Sequence, residues 1–259
     1  MAQGLPVQGS DSGQAASTAA DAALALIQQD LVFLDCEMTG GDPDRNDIIE
    51  IGAARSRLPD LALLDQLSVK VAPRTTRGHN QSSLRIAGYS LKEWKSAIPI
   101  DEALQRLRDF SRGCATVGWA TYNDLLFVRA AAERAAIDDL VQEAYVELQD
   151  WARDRLHFRA TPGLQRVADQ LKIVRDQEHS AIEDALVSYE VFRMLWRFST
   201  AELDAALPGL DWNSYVEMAG PIVIEDAAAH ERRAELARYV VAGTSREALL
   251  ARRKSYHRD

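Results

Sequence analysis

Cysteine is scarce in this chain. Only two occur in 259 residues, Cys36 and Cys114, and each sits in an apolar, strand-like run. That excludes a disulfide framework and leads us to expect a reducing, cytoplasmic setting. No run of about eighteen apolar residues is present, which argues against a membrane span. No Lys or Arg precedes Arg45, so the start lacks the basic region of a secretory signal. Positive charge is also in deficit: 30 Lys and Arg stand against 39 Asp and Glu, a net charge of −9. Non-specific duplex binding rests on many phosphate neutralisations, and such a balance disfavours it. An enzyme of nucleic acids is still open, because acids that hold cations attract phosphate once loaded. No internal repeat is visible.

What is present is enough for one substantial core, with 47% of residues hydrophobic. Residues 1–20 lack any apolar period and read as a disordered segment. LVFLDCE, IIEIGAARSR and LALLDQLSVKV read as a three-strand meander, with the Gly-, Pro- and Asp-rich TGGDPDRND as the first turn. IDEALQRLRDF has helical spacing, CATVGW reads as a buried strand, DLLFVRAAAERAA as a helix and AYVELQ as a short strand. Three helices follow in DWARDRL, PGLQRVADQLKI and HSAIEDALVSYEVFRMLW. Strands alternating with helices imply an α/β sheet covered on both faces. We therefore divide the chain into the segment 1–20, a domain over 21–199 and a helical C-terminal extension over 200–259. In the extension, AAAHERRAELARYVVAG and TSREALLARRKSYHRD read as two helices, with Thr244 and Glu247 as a capping box for the second.

Carboxylates recur where chemistry would want them. Asp35 and Glu37 stand two apart in a strand, so both point to one face. Two such acids repel unless a cation or proton lies between them. Alone, the pair also fits a strand end that shows its acids to water. Asp124 marks the passage from CATVGW to the next helix, at the strand end where open α/β sheets bind ligands. An Asp at that place also fits an ordinary helix N-cap. His179 and Asp184 are five apart. They reach one site most easily if His179 lies in the loop before a helix and Asp184 in its first turn. Four carboxylates and an imidazole from three separated segments suit a site that holds two hard divalent cations, with His179 as base.

These segments resemble a known family. FLDCEMTG resembles the first motif of the DEDDh 3′→5′ exonucleases, the superfamily of the polymerase proofreading subunit, oligoribonuclease and Eri-1-like enzymes. VGWATYNDLLFV resembles the second motif, with its Asp at Asp124. HSAIEDA resembles the third, in the spacing His-x-Ala-x-x-Asp over His179, Ala181 and Asp184. The likeness runs over roughly residues 31–198. Where the family often has His-Asn before its second Asp, this chain has Trp119 and Ala120.

The resemblance implies a ribonuclease H-like fold, a central mixed sheet with helices on both faces. It implies two Mg²⁺ or Mn²⁺ ions held by Asp35, Glu37, Asp124 and Asp184, with His179 as general base. Met38 and Thr39 would contact the terminal nucleotide, and Trp119 would either stack on a base or fill the core. The expected substrate is the 3′ end of single-stranded DNA or RNA, released as nucleoside 5′-monophosphates. A non-catalytic nucleic-acid or protein binding module on the same fold is the alternative. The extension would dock a protein partner, build a homo-oligomer or pack on the domain. Basic residues cluster at Lys70, Arg74 and Arg77, from Arg153 to Arg166, and from Arg252 to Arg258. Such clusters are ordinarily solvated faces, and those near the site could track a strand backbone.

Overall fold

The computed structural model describes Ala25 and residues 30–75, 79–138, 140, 142–174, 180–209 and 226–256. The segment 1–20 and His179 lie outside the described residues. The chain begins with the expected meander: β1 (Asp30–Met38), β2 (Ile48–Arg57) and β3 (Ala62–Lys70). Helices α1 (Gln81–Ile86) and α2 (Ile100–Ser111) lead to β4 (Cys114–Gly118) and α3 (Thr121–Ala135). Then come β5 (Ala144–Glu147), α4 (Leu148–Arg155), α5 (Leu164–Gln170), α6 (Ala181–Arg197) and α7 (Thr200–Ala206). The extension gives α8 (Asp226–Leu236), β6 (Val240–Ala242) and α9 (Arg246–Tyr256).

The six strands form one mixed sheet in the order β3-β2-β1-β4-β5-β6. β1 lies inside it, antiparallel to β2 and parallel to β4, and β5 continues the parallel half. Period-two alternation divides the core into two layers. Leu31 and Phe33 of β1 pack with Trp151, Phe192 and Trp196 from α4 and α6. Val32, Leu34 and Cys36 pack on the opposite face with Leu104, Leu125 and Leu126 from α2 and α3. Helices therefore cover both faces, as a ribonuclease H-like mixed sheet requires. Cys36 and Cys114 are free and buried. No helix among the described residues is long and apolar enough to cross a membrane.

The extension is mostly helical, but its first expected helix stops early. Residues 237–239 form a 3-10 turn, and Val240–Ala242 become a strand that pairs antiparallel with β5, Ala144 opposite Ala242. Two β-branched valines opposite a waiting sheet edge outweigh the helical run before them. The expected capping box is also corrected. Thr244 Oγ1 donates to Gln142 O at 2.5 Å, and Ser245 Oγ accepts from Ala248 N at 3.2 Å instead. Leu249 of α9 is buried against the α2–α3 layer.

Candidate active site

The site grows from β1. Asp35 and Glu37 continue the face of Leu31 and Phe33, at the end where β4 has stopped. The last β1–β4 pair is Phe33 with Val117, so the β1 backbone beyond it has no strand partner on that side. Asp124 fills the gap, its Oδ1 accepting from Cys36 N at 3.0 Å. Asp124 is therefore not the N-cap. That place falls to Ala120, held in the left-handed region at φ 52°, and Asp124 lies in the first turn of α3. The left-handed turn sends α3 back over the sheet edge and carries a buried carboxylate to β1.

Asp184 comes from the other layer. Helix α6 has Ser180 at its N-cap and Asp184 in its first turn. Its start presses on β2 at Gly52, which lies opposite Asp35. A Cβ on Gly52 would stand 2.1 Å from Ala181 C and 2.2 Å from Ile182 N, so only glycine admits the helix at this depth. The approach brings one carboxylate oxygen each of Asp35, Glu37 and Asp184 within 4.8 Å of one another. Neither Gly52 nor Glu50 stands out in the sequence, and both belong to the site. Glu50 is paired across the strands with Glu37, is only 4% exposed, and accepts from Ser180 Oγ at 3.5 Å. The signal for it was an acid inside an otherwise apolar strand, IIEIGAA.

The electrostatics follow from this crowding. Burial, then the neighbouring Asp124, Asp184, Glu37 and Glu50, push the Asp35 carboxyl well above the usual carboxylate range. Burial, then Asp184 and Glu50, raise Glu37 to about 8. Burial raises Asp124 as well, although the Cys36 amide opposes it. Glu50 is raised by burial, with Lys70 and the Ala181 amide working against the shift. Carboxylates forced together are neutralised either by protons or by cations. An all-oxygen donor set suits hard divalent ions such as Mg²⁺ or Mn²⁺ rather than soft metals. The residues present thus fit the implied metal site.

Met38 lines a cleft of about 280 Å³ beside this pocket, together with Glu37, Gly40, Gly41, Ser83, Ile86, Asn123, Phe127 and Arg253. Two expected substrate contacts are corrected. Thr39 is fully buried; its Oγ1 accepts from Asp47 N at 2.9 Å, closing the loop between β1 and β2. Trp119 is 9% exposed and belongs to the core with Val146 and Leu148. Within the basic group of the middle chain, Arg155 alone turns inward: it is 3% exposed and pairs with Glu235 at 2.8 Å.

Comparison with known proteins agrees with this geometry. Residues 32–192 match the RNase T family model, described as Exonuclease. DNA polymerase III PolC-type of Thermotoga petrophila is 27% identical over 161 residues, which are 62% of this chain and 11% of that protein. The corresponding protein of Caldanaerobacter subterraneus is 23% identical over 168 residues, 65% of this chain and 12% of that one. The chain thus spans about a tenth of the length of these curated relatives. Among solved structures, E. coli Exonuclease I in complex with a dT13 oligonucleotide aligns with a TM-score of 0.58 at 14% identity, over 70% of this chain and 43% of that one. The nuclease domain of 3′hExo, a DEDDh family member bound to rAMP, aligns with a TM-score of 0.54 at 13% identity, over 69% and 93%. The chain belongs to the RNase T exonuclease family.

Proposed function

We propose that this protein is a metal-dependent 3′→5′ exonuclease of single-stranded nucleic acid that releases nucleoside 5′-monophosphates. The observation that carries the reading is the meeting of Asp35, Glu37 and Asp184 within 4.8 Å, from two elements whose nearest members, Glu37 and Asp184, stand 147 residues apart in the chain. Acids crowded this closely destabilise a fold unless they serve a ligand. Family membership supports the nuclease reading. Two structural neighbours, one in complex with an oligonucleotide and one bound to rAMP, support the substrate class.

Asp35, Glu37, Asp124 and Asp184 would hold the two cations. When bound, these would polarise the scissile phosphate and ease ionisation of the attacking water. The rest falls to the chain. Asp124 is held against β1 by its bond from Cys36 N. Glu50 holds the start of α6 through Ser180 and so positions Asp184. His179, directly before Ser180 in the sequence, would accept the proton from the water. Met38 would meet the terminal nucleotide from the cleft.

The test is a 5′-labelled single-stranded oligonucleotide incubated with Mg²⁺. A ladder that shortens from the 3′ end, abolished by chelation and by Asp124→Ala or His179→Ala, is the expected result. Unchanged turnover in both variants would reject the assignment.

A further inference from the structure

The cleft beside the acids has one wall from outside the family-matched region. Residues 32–192 match the family, whereas Arg253 of α9 lines the same cleft as Glu37 and Met38. We propose that Arg253 is a substrate-binding residue that takes a backbone phosphate of the bound strand other than the one being cleaved. The inference rests on the nuclease reading above.

Three observations carry it. First, the guanidinium is aimed. Arg253 Nη1 donates to Gly41 O at 2.7 Å, in the loop that follows the Asp35–Glu37 motif. That bond uses one of five N–H donors, and the fork geometry leaves others for a phosphate. Second, its charge is uncommitted. Arg74 pairs with Asp47, Arg246 with Asp44 and Arg252 with Asp150. Among the described residues, Arg253 has no carboxylate partner. Third, the helix that carries it is fixed. Tyr256 stacks on Tyr122 of α3 with ring centroids 4.9 Å apart at 24°. At the other end of α9, Arg246 reaches Asp44, and Leu249 is buried.

The electrostatic need is plain. The pocket is crowded with carboxylates, and the chain is strongly acidic. Cations between the acids serve the scissile phosphate, but the next phosphates along the strand meet no such help. A fixed arginine on the opposite wall supplies it, as a charge-assisted contact. The remainder of the wall fits a nucleotide too: Ile86, which is 48% exposed, offers apolar surface, and Asn123 and Ser83 offer polar groups. The extension then does more than complete the sheet through β6. It supplies part of the substrate site.

The experiment uses the full chain and a fluorescent single-stranded oligonucleotide. Binding is read by anisotropy with Ca²⁺ in place of Mg²⁺, and turnover with Mg²⁺. The variants are Arg253→Gln, which keeps a donor for Gly41 O without the charge, Arg253→Lys and Arg253→Ala. For Gln and Ala, we expect Kd to rise about tenfold, the loss of one charged hydrogen bond. The dependence of log binding on log salt should become shallower by about 0.7, the value of one phosphate contact on a single strand. KM should rise with kcat changed less than about twofold, and Lys should recover part of the affinity. Native-like Kd and salt slope in Arg253→Gln overturn the proposal, as does a fall in kcat without a change in Kd. Those results with an active native protein leave the nuclease reading standing. A native protein that binds but does not cleave rejects the nuclease reading alone, and one that neither binds nor cleaves rejects both.

Discussion

Two places in this molecule bury carboxyl groups and raise them to the same level, in different company. Glu37 is raised to about 8 by burial and then by Asp184 and Glu50. Glu147 is also raised to about 8, by burial and then by Asp150. Their company differs. Glu37 faces acids whose oxygens lie within 4.8 Å. Glu147 is fully buried, and its Oε1 accepts from Ala120 N at 3.0 Å and Gln149 N at 3.3 Å. It closes the left-handed turn that launches α3, and so sets where Asp124 begins its reach. A raised carboxyl is thus no sign of chemistry by itself. The sign is several acids from separate elements sharing one space.

The comparison can be broken most forcefully at Asp35. We predict that Asp35→Asn lowers kcat at least about 10³-fold, because preorganised charge at the reacting phosphate is lost. The metal-free protein should melt no lower, since one of the crowded carboxyls has gone. A steady-state assay and a thermal melt check both halves. A variant that retains turnover would mean the acids crowd without purpose.

The next effect concerns position rather than charge. Gly52→Ala puts a methyl where the α6 backbone lies and must displace Asp184. A shift of about 1 Å can cost roughly 10²-fold in rate. We expect kcat to fall by that order with the far-ultraviolet spectrum unchanged. At the other carboxyl, Glu147→Ala should cost about 1–3 kcal/mol by leaving buried amides unmet. Glu147→Gln, which can still accept, should cost less and keep cleavage within a few-fold; denaturant melts and rates would show it.

The smallest effect is in pH. Glu37 and Glu147 have ordinary values of 4.5 and reach about 8 in the folded chain. Between those values the folded state holds more protons than the unfolded one. Metal-free stability is therefore complete below about 4.5, falls as pH rises, and reaches its floor above about 8. Mg²⁺ should remove the share of that slope due to Glu37 and leave the share due to Glu147. Glu147→Gln should do the reverse. Melting temperatures from pH 4 to pH 9, with and without Mg²⁺, separate the two.

How much of this was legible beforehand follows the range of the forces involved. The meander, β4, β5 and the helix bearing Asp184 showed in the sequence, because alternation and helical spacing are local. Asp35 and Glu37 were legible as a pair for the same reason. Ala120 as the turn residue was not, since its left-handed backbone is imposed by Glu147 across the fold. β6 was hidden because three residues become a strand only by meeting Ala144–Val146. Gly52 was hidden because its need comes from a helix about 130 residues later, and Glu50 because a strand acid ordinarily faces water. For Trp119, which the sequence left between stacking on a base and filling the core, the layer of Val146 and Leu148 decides for the core.

The most direct test is diffraction from crystals soaked in Mn²⁺, with anomalous scattering to place the ions. The account predicts two peaks a few ångströms apart, bounded by Asp35, Glu37, Asp124 and Asp184. Ions bound only elsewhere, or none at saturating Mn²⁺ above pH 8, would contradict it.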